Sequence, residues 1–151
     1  MQSLTGALVA LGVLAAATLA GLLLRRRNGR FAPVPAEPTP TSAPDGAAVP
    51  RTLREALGIS PGTPLTLLQF SSAFCAPCRA TRVICADVAR TVPGVAHVEV
   101  DAESHLEAVR ELDIWRTPTV LIIDDAGRIR RRASGAPTKA QLLAALAEVK
   151  A

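Results

Sequence analysis

Apolar residues are distributed in two different ways along this chain of 151 residues. Residues 4–24 form one continuous uncharged run, whereas the region after residue 50 alternates short apolar runs with helical patterns. A helix over residues 4–24 would be about 31 Å long at about 1.5 Å per residue, which matches the hydrocarbon core of a bilayer. The sequence therefore predicts an N-terminal transmembrane helix over residues 4–24.

Residues 25–50 differ in composition from the segments on either side. A basic flank comes first, with Arg25, Arg26, Arg27 and Arg30. Six of the twelve prolines then fall within residues 31–50, and proline excludes a helix interior or a central strand while favouring extended polyproline geometry. We therefore expect a linker that reaches about 60 Å at about 3.1 Å per residue, which makes residues 51–151 a separate domain.

The arginines after the apolar run also predict how the chain is oriented. Basic residues favour the cytoplasmic side of a membrane, so the remainder of the chain is expected in the cytoplasm. A cleaved signal peptide is the competing interpretation, but it requires a basic segment before the apolar run, and this sequence has none. A retained helix with a cytoplasmic domain is favoured, and an outward-facing domain is the alternative.

Periodicity within residues 51–151 predicts alternating helices and strands. In chain order these are helix 51–57, strand 65–70, helix 76–90, strand 95–100, helix 104–112, strands 120–123 and 128–133, and helix 137–149. Strand–helix–strand units predict parallel pairing, whereas the short turn around Asp125 and Gly127 predicts an antiparallel last strand at a sheet edge. The predicted fold class is α/β, with a mixed four-stranded sheet flanked by helices.

Charge and aromatic content argue against a nucleic-acid partner. The net charge is +4, but residues 65–151 hold 11 basic and 10 acidic side chains, so most of the excess lies near the apolar run. The aromatic residues, three Phe and one Trp, are too few for base-stacking platforms. Three cysteines cannot form a disulfide framework, and the spacing of two of them points to chemistry instead.

The Cys75-x-x-Cys78 spacing predicts a reversible dithiol. Cys75 lies where a predicted strand ends and a helix begins, so free N–H groups and the helix dipole are expected to stabilise its thiolate and lower its pKa. Cys78 lies one turn along the same helix, close enough for the two sulfurs to join. Pro77 suits the first helical turn, where a missing N–H costs little, and it stiffens the segment that holds both sulfurs.

Two short motifs adjoin predicted buried strands: Phe74-Cys75-Ala76-Pro77-Cys78-Arg79 follows one, and Trp115-Arg116-Thr117-Pro118-Thr119 precedes another. Together they resemble the thioredoxin superfamily, over about residues 51–151. The resemblance implies a thioredoxin fold and thiol–disulfide exchange without a cofactor. Cys75 would attack a substrate disulfide and Cys78 would resolve the mixed disulfide, with disulfide-bearing proteins as substrates and a separate electron donor.

The same resemblance implies where substrates bind. Pro118 would be the cis-proline of the family, opposite the dithiol, and Thr117 would offer its backbone to an extended substrate strand. Phe74 and Pro77 would flank that substrate. The alternative for Pro118 is a trans proline that begins a strand, a position where proline is tolerated.

Three positions depart from the family's pattern, and one of them is Phe74, which stands where the family has a tryptophan before the first cysteine. Gln69 occupies the place of a buried aspartate that accepts a proton in the family, and a glutamine cannot titrate. His97 stands where the family has a lysine and could act as a base in proton transfer. A histidine that faces solvent or is satisfied in the core is the alternative, and Gln69 is most simply a neutral hydrogen-bonding group in a buried place.

The third cysteine and the histidines offer weaker candidates. Cys85 lies about 10 Å along the helix from Cys78, too far for a disulfide, so a core thiol is predicted, with regulation through a mixed disulfide as the alternative. Zinc ligands could nominally come from the three cysteines, His97 and His105. No second CxxC and no paired histidines accompany them, so no metal site is predicted.

Arginines alternate along the last predicted strand, at Arg128, Arg130 and Arg132. Charged side chains on an exposed edge strand prevent it from pairing with another chain, so protection of a free sheet edge is the expected role. Anion binding is the alternative.

These observations lead to three hypotheses. The first is a membrane-tethered thiol–disulfide oxidoreductase that reduces or exchanges protein disulfides. The second is a membrane-anchored interaction or assembly module that keeps the fold without turning over a substrate, which Gln69 favours. The third is an outward-facing thiol oxidoreductase of the cell envelope, with the same chemistry on the opposite side of the membrane.

Overall fold

This computed structural model describes residues 2–27, 29–33 and 48–150, which contain five helices and five strands. The helices are α1 (Gln2–Arg27), α2 (Arg51–Ala56), α3 (Ala76–Thr91), α4 (Leu106–Glu111) and α5 (Lys139–Lys150). The strands are β1 (Phe31–Pro33), β2 (Leu65–Ser71), β3 (Val95–Asp101), β4 (Thr119–Asp124) and β5 (Ile129–Ser134). Every element predicted within residues 51–151 is present, and each boundary differs by at most two residues.

The described strands form one mixed sheet in the order β1-β5-β4-β2-β3. β2 and β3 are parallel, because the long helix α3 carries the chain back between them. β4 is antiparallel to β2, and β5 is antiparallel to β4, as their short connecting turn requires. The mixed sheet of four predicted strands is therefore confirmed, and helices flank it.

The parallel pairing expected for the strand–helix–strand unit that ends in β4 is wrong. β3 ends at Asp101, which pairs with Ser71, and β4 begins at Thr119, which pairs with Phe70. The connection therefore leaves and re-enters the sheet at the same end. Its helix, α4, has six residues and rises only about 9 Å, less than half the length of about 23 Å of a seven-residue strand. The chain does not return to the far end, so β4 runs antiparallel.

A short fifth strand, β1, pairs with β5, which the sequence predicts at an edge. Phe31 lies opposite Ala133 in antiparallel register. Further along, Ala48 forms an isolated bridge with Arg128, and Val49 is buried in the core. These residues fall in the predicted linker, but they join the domain because Phe31 and Val49 remove apolar surface from water. An edge strand also tolerates the proline that ends β1.

The three arginines predicted to protect the edge, Arg128, Arg130 and Arg132, bind residues of neighbouring segments. Arg128 donates to both carboxylate oxygens of Asp124, by its backbone N–H and by Nε, each at 2.8 Å. Arg130 reaches the same carboxylate, and Arg132 donates to backbone carbonyls at the end of α4. The predicted role of the three arginines in protecting a free edge is therefore wrong, because β1 pairs with that edge.

The two faces of the sheet bury separate apolar cores, and alternation along β2 assigns residues to each. Leu68 and Phe70 lie in the core shared with α4, whereas Leu65 and Leu67 lie in the core shared with α3 and α5. By the same alternation, Gln69 lies on the α3 side of the sheet. Its side chain therefore faces the helix that begins at the two cysteines.

Helix α1 covers the segment that the sequence predicts as a transmembrane helix, residues 4–24. Within the described ranges, no helix combines the length and the apolar character required of a membrane span. Extended polyproline geometry is predicted for residues 31–50, and residues 34–47 of this segment lie outside the described ranges.

Candidate active site

Cys75 and Cys78 form a disulfide at the junction between β2 and α3. Cys75 is the N-cap residue of α3, and its Sγ accepts a hydrogen bond from the backbone N–H of Cys78 at 3.1 Å. Pro77 lies in the first turn of the helix, where no intrahelical partner for its N–H is needed. The structure thus brings the two sulfurs together and directs a helical N–H at the first of them.

The two cysteines differ in their exposure to solvent. Cys75 is partly exposed, whereas Cys78 is 1% exposed. An incoming disulfide can therefore reach Cys75 but not Cys78. This asymmetry is the one that an attacking and a resolving cysteine require.

The loop before β4 lies beside the disulfide. The bond between Thr117 and Pro118 is cis, and Pro118 is buried. The hydroxyls of Thr117 and Ser72 are 3.0 Å apart, which joins this loop to the segment that leads into Cys75. On the other side, the N–H of Gly135 donates to the carbonyl of Pro118 at 2.8 Å. These bonds fix the cis-proline loop between the ends of β2 and β5.

Two aromatic side chains at this end of the sheet are almost fully exposed. Phe74 is 99% exposed and Trp115 is 87% exposed. Trp115 is held in place, because its Nε1 donates to Asp113 at 2.6 Å and the backbone of Asp113 has a positive φ of 53°. Arg132 secures this turn by donating to the carbonyl oxygens of its first two residues, at 2.6 and 2.8 Å.

Trp115 belongs to the second sequence motif, but the sequence gives no reason to include it among the site residues. A tryptophan beside a buried strand is as readily explained by core packing. Its exposure depends on the Asp113 turn and on Arg132, which lies on a different strand. Only the fold brings these groups together.

Gln69 is completely buried and satisfied by hydrogen bonds. Its Nε2 donates to the carbonyl oxygen of Cys78 at 3.0 Å and to Ser71 Oγ at 2.8 Å. Its Oε1 lies 3.2 Å from Nε2 of His97. Gln69 therefore ties the first turn of α3 to β2 and β3 as a neutral group, which avoids the cost of burying a charge.

Glu99 is an additional ionisable residue of this network. Ser71 Oγ donates to Glu99 Oε1 at 2.7 Å, and Arg82 Nη2 donates to the same oxygen at 2.9 Å. Burial opposes the charge of this carboxyl, but the bonds from Arg82 and Ser71 and the positive charge of Arg82 outweigh it and lower its pKa. Glu99 therefore remains a carboxylate at neutral pH, close to the position where the family has its aspartate.

One pattern in the sequence points to Glu99. Alternation along the second strand places His97 and Glu99 on the same face. In the sheet, Gln69 pairs with Glu99 and Leu67 pairs with His97. A prediction of that register would have placed Glu99 beside Gln69.

His97 is half-buried, and its hydrogen bond goes to Gln69. Burial lowers the pKa of its imidazole, Glu99 acts in the opposite direction, and Arg82 lowers the pKa further. The side chain of Gln69 therefore lies between His97 and the backbone of Cys78. The role of His97 as a base in proton transfer stays a prediction.

Cys85 is a buried free thiol in the core between the sheet and α3. Burial, assisted by the negative charge of Glu99, raises its pKa to about 12. A thiol in this state is protonated and a poor nucleophile at neutral pH. In the part of the chain that the structure describes, no group of three or more His, Cys, Asp or Glu side chains could hold a metal ion.

The fold and the site together define a thioredoxin-like domain: a disulfide at a strand-to-helix junction, a cis-proline beside it, and a mixed sheet between helices. Residues 58–148, more than half of the chain, match the family described as Thioredoxin. The chain belongs to the thioredoxin family.

Known proteins with related sequences or structures agree with this assignment. Thioredoxin H-type 1 of Nicotiana tabacum is 30% identical over 67 residues, which are 44% of this chain and 53% of that protein. The X-ray structure of Fasciola hepatica thioredoxin is similar with a TM-score of 0.54 and 24% identity, covering 64% of this chain and 89% of that chain.

A complex of ferredoxin:thioredoxin reductase with thioredoxin f2 contains a similar chain, with a TM-score of 0.57 and 18% identity over 67% of this chain and 90% of that one. At these identities the structural matches establish a shared fold. The chain spans about half the length of the curated relatives it matches.

Proposed function

We propose that this protein is a membrane-tethered thiol–disulfide oxidoreductase that reduces or exchanges disulfides of other proteins through Cys75 and Cys78. The observation that supports it most directly is the disulfide between a partly exposed cysteine and a buried one, beside the cis-proline loop. A purely structural disulfide would need neither an accessible sulfur nor a helix N-terminus directed at it.

The reaction begins from the reduced dithiol. The thiolate of Cys75 attacks one sulfur of a substrate disulfide, a new S–S bond forms, and the second substrate sulfur leaves as a thiolate that takes up a proton. Cys78 then loses its proton and attacks Cys75 Sγ, which releases the first substrate sulfur. The substrate gains two electrons, and the enzyme ends with the Cys75–Cys78 disulfide.

Substrate binding in this scheme relies on the cis-proline loop. An extended segment beside the disulfide of the substrate pairs with the exposed backbone of Thr117, which is tolerant of sequence. Phe74 and Pro77 flank this segment on the α3 side. Gln69 cannot accept the proton of Cys78, so that proton passes to water or to another group.

A turnover assay tests the proposed activity. Insulin reduction by dithiothreitol should be accelerated by the detergent-solubilised full chain and not by the matched double variant Cys75→Ser, Cys78→Ser, which lacks both sulfurs. Equal rates for the two proteins would contradict the proposal and favour the non-catalytic assembly module. Gln69 motivates that second candidate, because it replaces the buried aspartate of the family with a side chain that cannot titrate.

The membrane tether is proposed from the amino-acid sequence. Residues 4–24 carry no charge, and the basic flank that follows favours the cytoplasmic side. Consistent with this, described apolar side chains of α1 such as Leu8, Leu11 and Leu14 are exposed to their surroundings and do not lie in a core. Exposed apolar surface of this extent is unfavourable in water and suits lipid.

A cytoplasmic domain would meet a reducing thiol pool, so the dithiol would act as a reductant and would be restored by a separate donor. Reporter fusions placed after Lys150 test this orientation. A reporter that is active only inside the cell supports the cytoplasmic assignment. One that is active only outside contradicts it and favours an oxidoreductase of the cell envelope.

A further inference from the structure

We propose that the end of the domain that carries the disulfide faces the lipid surface, because the N-terminal helix and the redox site are joined to the same end of the sheet. This inference rests on the membrane tether proposed above. The tether alone does not determine which end of the domain faces the bilayer, and this inference specifies that end.

The register of the strands defines the end in question. β2 runs toward the cysteines, and its Phe70 pairs with Thr119 at the start of β4. Thr119 in turn pairs with Ser134 at the end of β5. The end of β2, the start of β4 and the end of β5 therefore lie side by side, and the disulfide follows directly from the first of them.

The chain that leaves α1 enters the domain at this same end. Gly29 donates its N–H to the carbonyl of Ser134 at 3.1 Å, and Phe31 pairs with Ala133. Gly135, the residue that follows β5, donates its N–H to the carbonyl of Pro118. Two backbone hydrogen bonds and one peptide unit thus connect the chain after α1 to the cis-proline.

The tether at this point is very short. α1 ends at Arg27, and consecutive Cα atoms are about 3.8 Å apart, so the Cα atoms of Arg27 and Gly29 are at most about 7.6 Å apart. The reach of about 60 Å expected from the composition of the linker is therefore not available between α1 and β1. The domain cannot move far from the end of the helix while β1 is paired.

The junction is also tightly packed. Gly29 is buried with a positive φ of 73°, and a Cβ at this position would lie 2.1 Å from the carbonyl oxygen of Ala136. Phe31, two residues on, packs against the core between the sheet and α5. Only glycine fits at position 29, and the side chain of Phe31 is anchored in the core. Together these two residues hold the entering chain against the sheet.

The surface at this end has the chemistry of a membrane interface. Phe74 and Trp115 are its exposed aromatic side chains, and aromatic rings are enriched at the level of lipid headgroups. Arg30 is exposed between α1 and β1, where a basic side chain attracts anionic headgroups. The partner of this surface is therefore a lipid bilayer with anionic headgroups, and substrate disulfides would approach along it.

Trp115 is the only tryptophan of the chain and serves as a built-in probe. The full chain is reconstituted into vesicles of phosphatidylcholine and phosphatidylglycerol that contain a lipid with a dansyl headgroup. Energy transfer from tryptophan to dansyl then reports the distance to the surface. The control is the double variant Trp115→Phe, Ala126→Trp, which moves the single tryptophan to the exposed β4–β5 turn, about 20 Å away at the far end of β4.

Vesicle flotation is measured on the same samples. We expect both proteins to float with the vesicles and the natural protein to show the higher transfer. Equal transfer, or higher transfer from the double variant, with both proteins in the vesicle fraction, would overturn the orientation and leave the tether standing. Protein that stays out of the floating fraction would overturn the tether itself, and with it the orientation.

Discussion

Replacing Cys78 with serine is expected to convert this protein into a trap for its substrates. Cys75 would still attack a substrate disulfide, but the buried sulfur that releases the substrate would be missing, so the mixed disulfide would accumulate. Turnover should fall to the level of the double serine variant. The adducts are measured as bands of higher mass on non-reducing gels that disappear when dithiothreitol is added.

Two matched variants separate the roles of the cysteines. Cys75→Ser should form no adducts, because Cys78 is 1% exposed and cannot reach a substrate disulfide. Cys85→Ser should behave like the natural protein, because its buried thiol, with a pKa of about 12, takes no part in exchange. Equal trapping by Cys75→Ser and Cys78→Ser would contradict the assigned order of attack.

The largest expected effect on stability comes from Phe70→Ala. Phe70 is completely buried in the core between the sheet and α4, whereas Phe74, four residues later, is exposed. Removing its ring deletes apolar contacts and leaves a cavity, which for Phe→Ala costs about 3–5 kcal/mol. Denaturant titration of the detergent-solubilised chain should show this loss as a lower midpoint for unfolding of the domain.

Phe74→Ala is the matched control for this loss. Phe74 is 99% exposed, so its removal should change the free energy of unfolding by no more than about 0.5 kcal/mol. A loss for Phe74→Ala as large as that for Phe70→Ala would mean that the side chain of Phe74 is packed in solution. That result would also remove Phe74 from the exposed surface proposed to face lipid.

The spacing of residues was sufficient to predict the local part of the site. Cys75, Pro77 and Cys78 lie within one helical turn, so a short segment determines both the helix start and the distance between the sulfurs. Apolar patterns and turn residues likewise predicted each strand of the 51–151 region. A strand that is buried on one face shows alternating apolar residues, and a strand that is buried on both faces shows a continuous apolar run. These features depend on neighbours in sequence.

The polar network beneath the disulfide could not be predicted in the same way. Gln69, Glu99 and Arg82 come from two strands and a helix, and they meet only because β2 and β3 pair in one particular register. A shift of that register by one residue would turn Glu99 to the other face of the sheet. The amino-acid types along the chain do not by themselves reveal which charged residue lies near Cys78.

The sequence by itself determined the positions of the helices and strands after residue 50, the joined cysteines and the family. The direction of β4, the pairing of β1 with β5 and the place where the N-terminal chain enters the sheet were decided by the tertiary structure. Proline content indicated a linker, yet Phe31 and Val49 lie in the domain because long-range apolar burial outweighs local preference. Local chemistry is encoded within a turn or a strand, whereas the surroundings of a site depend on contacts between residues far apart in the chain.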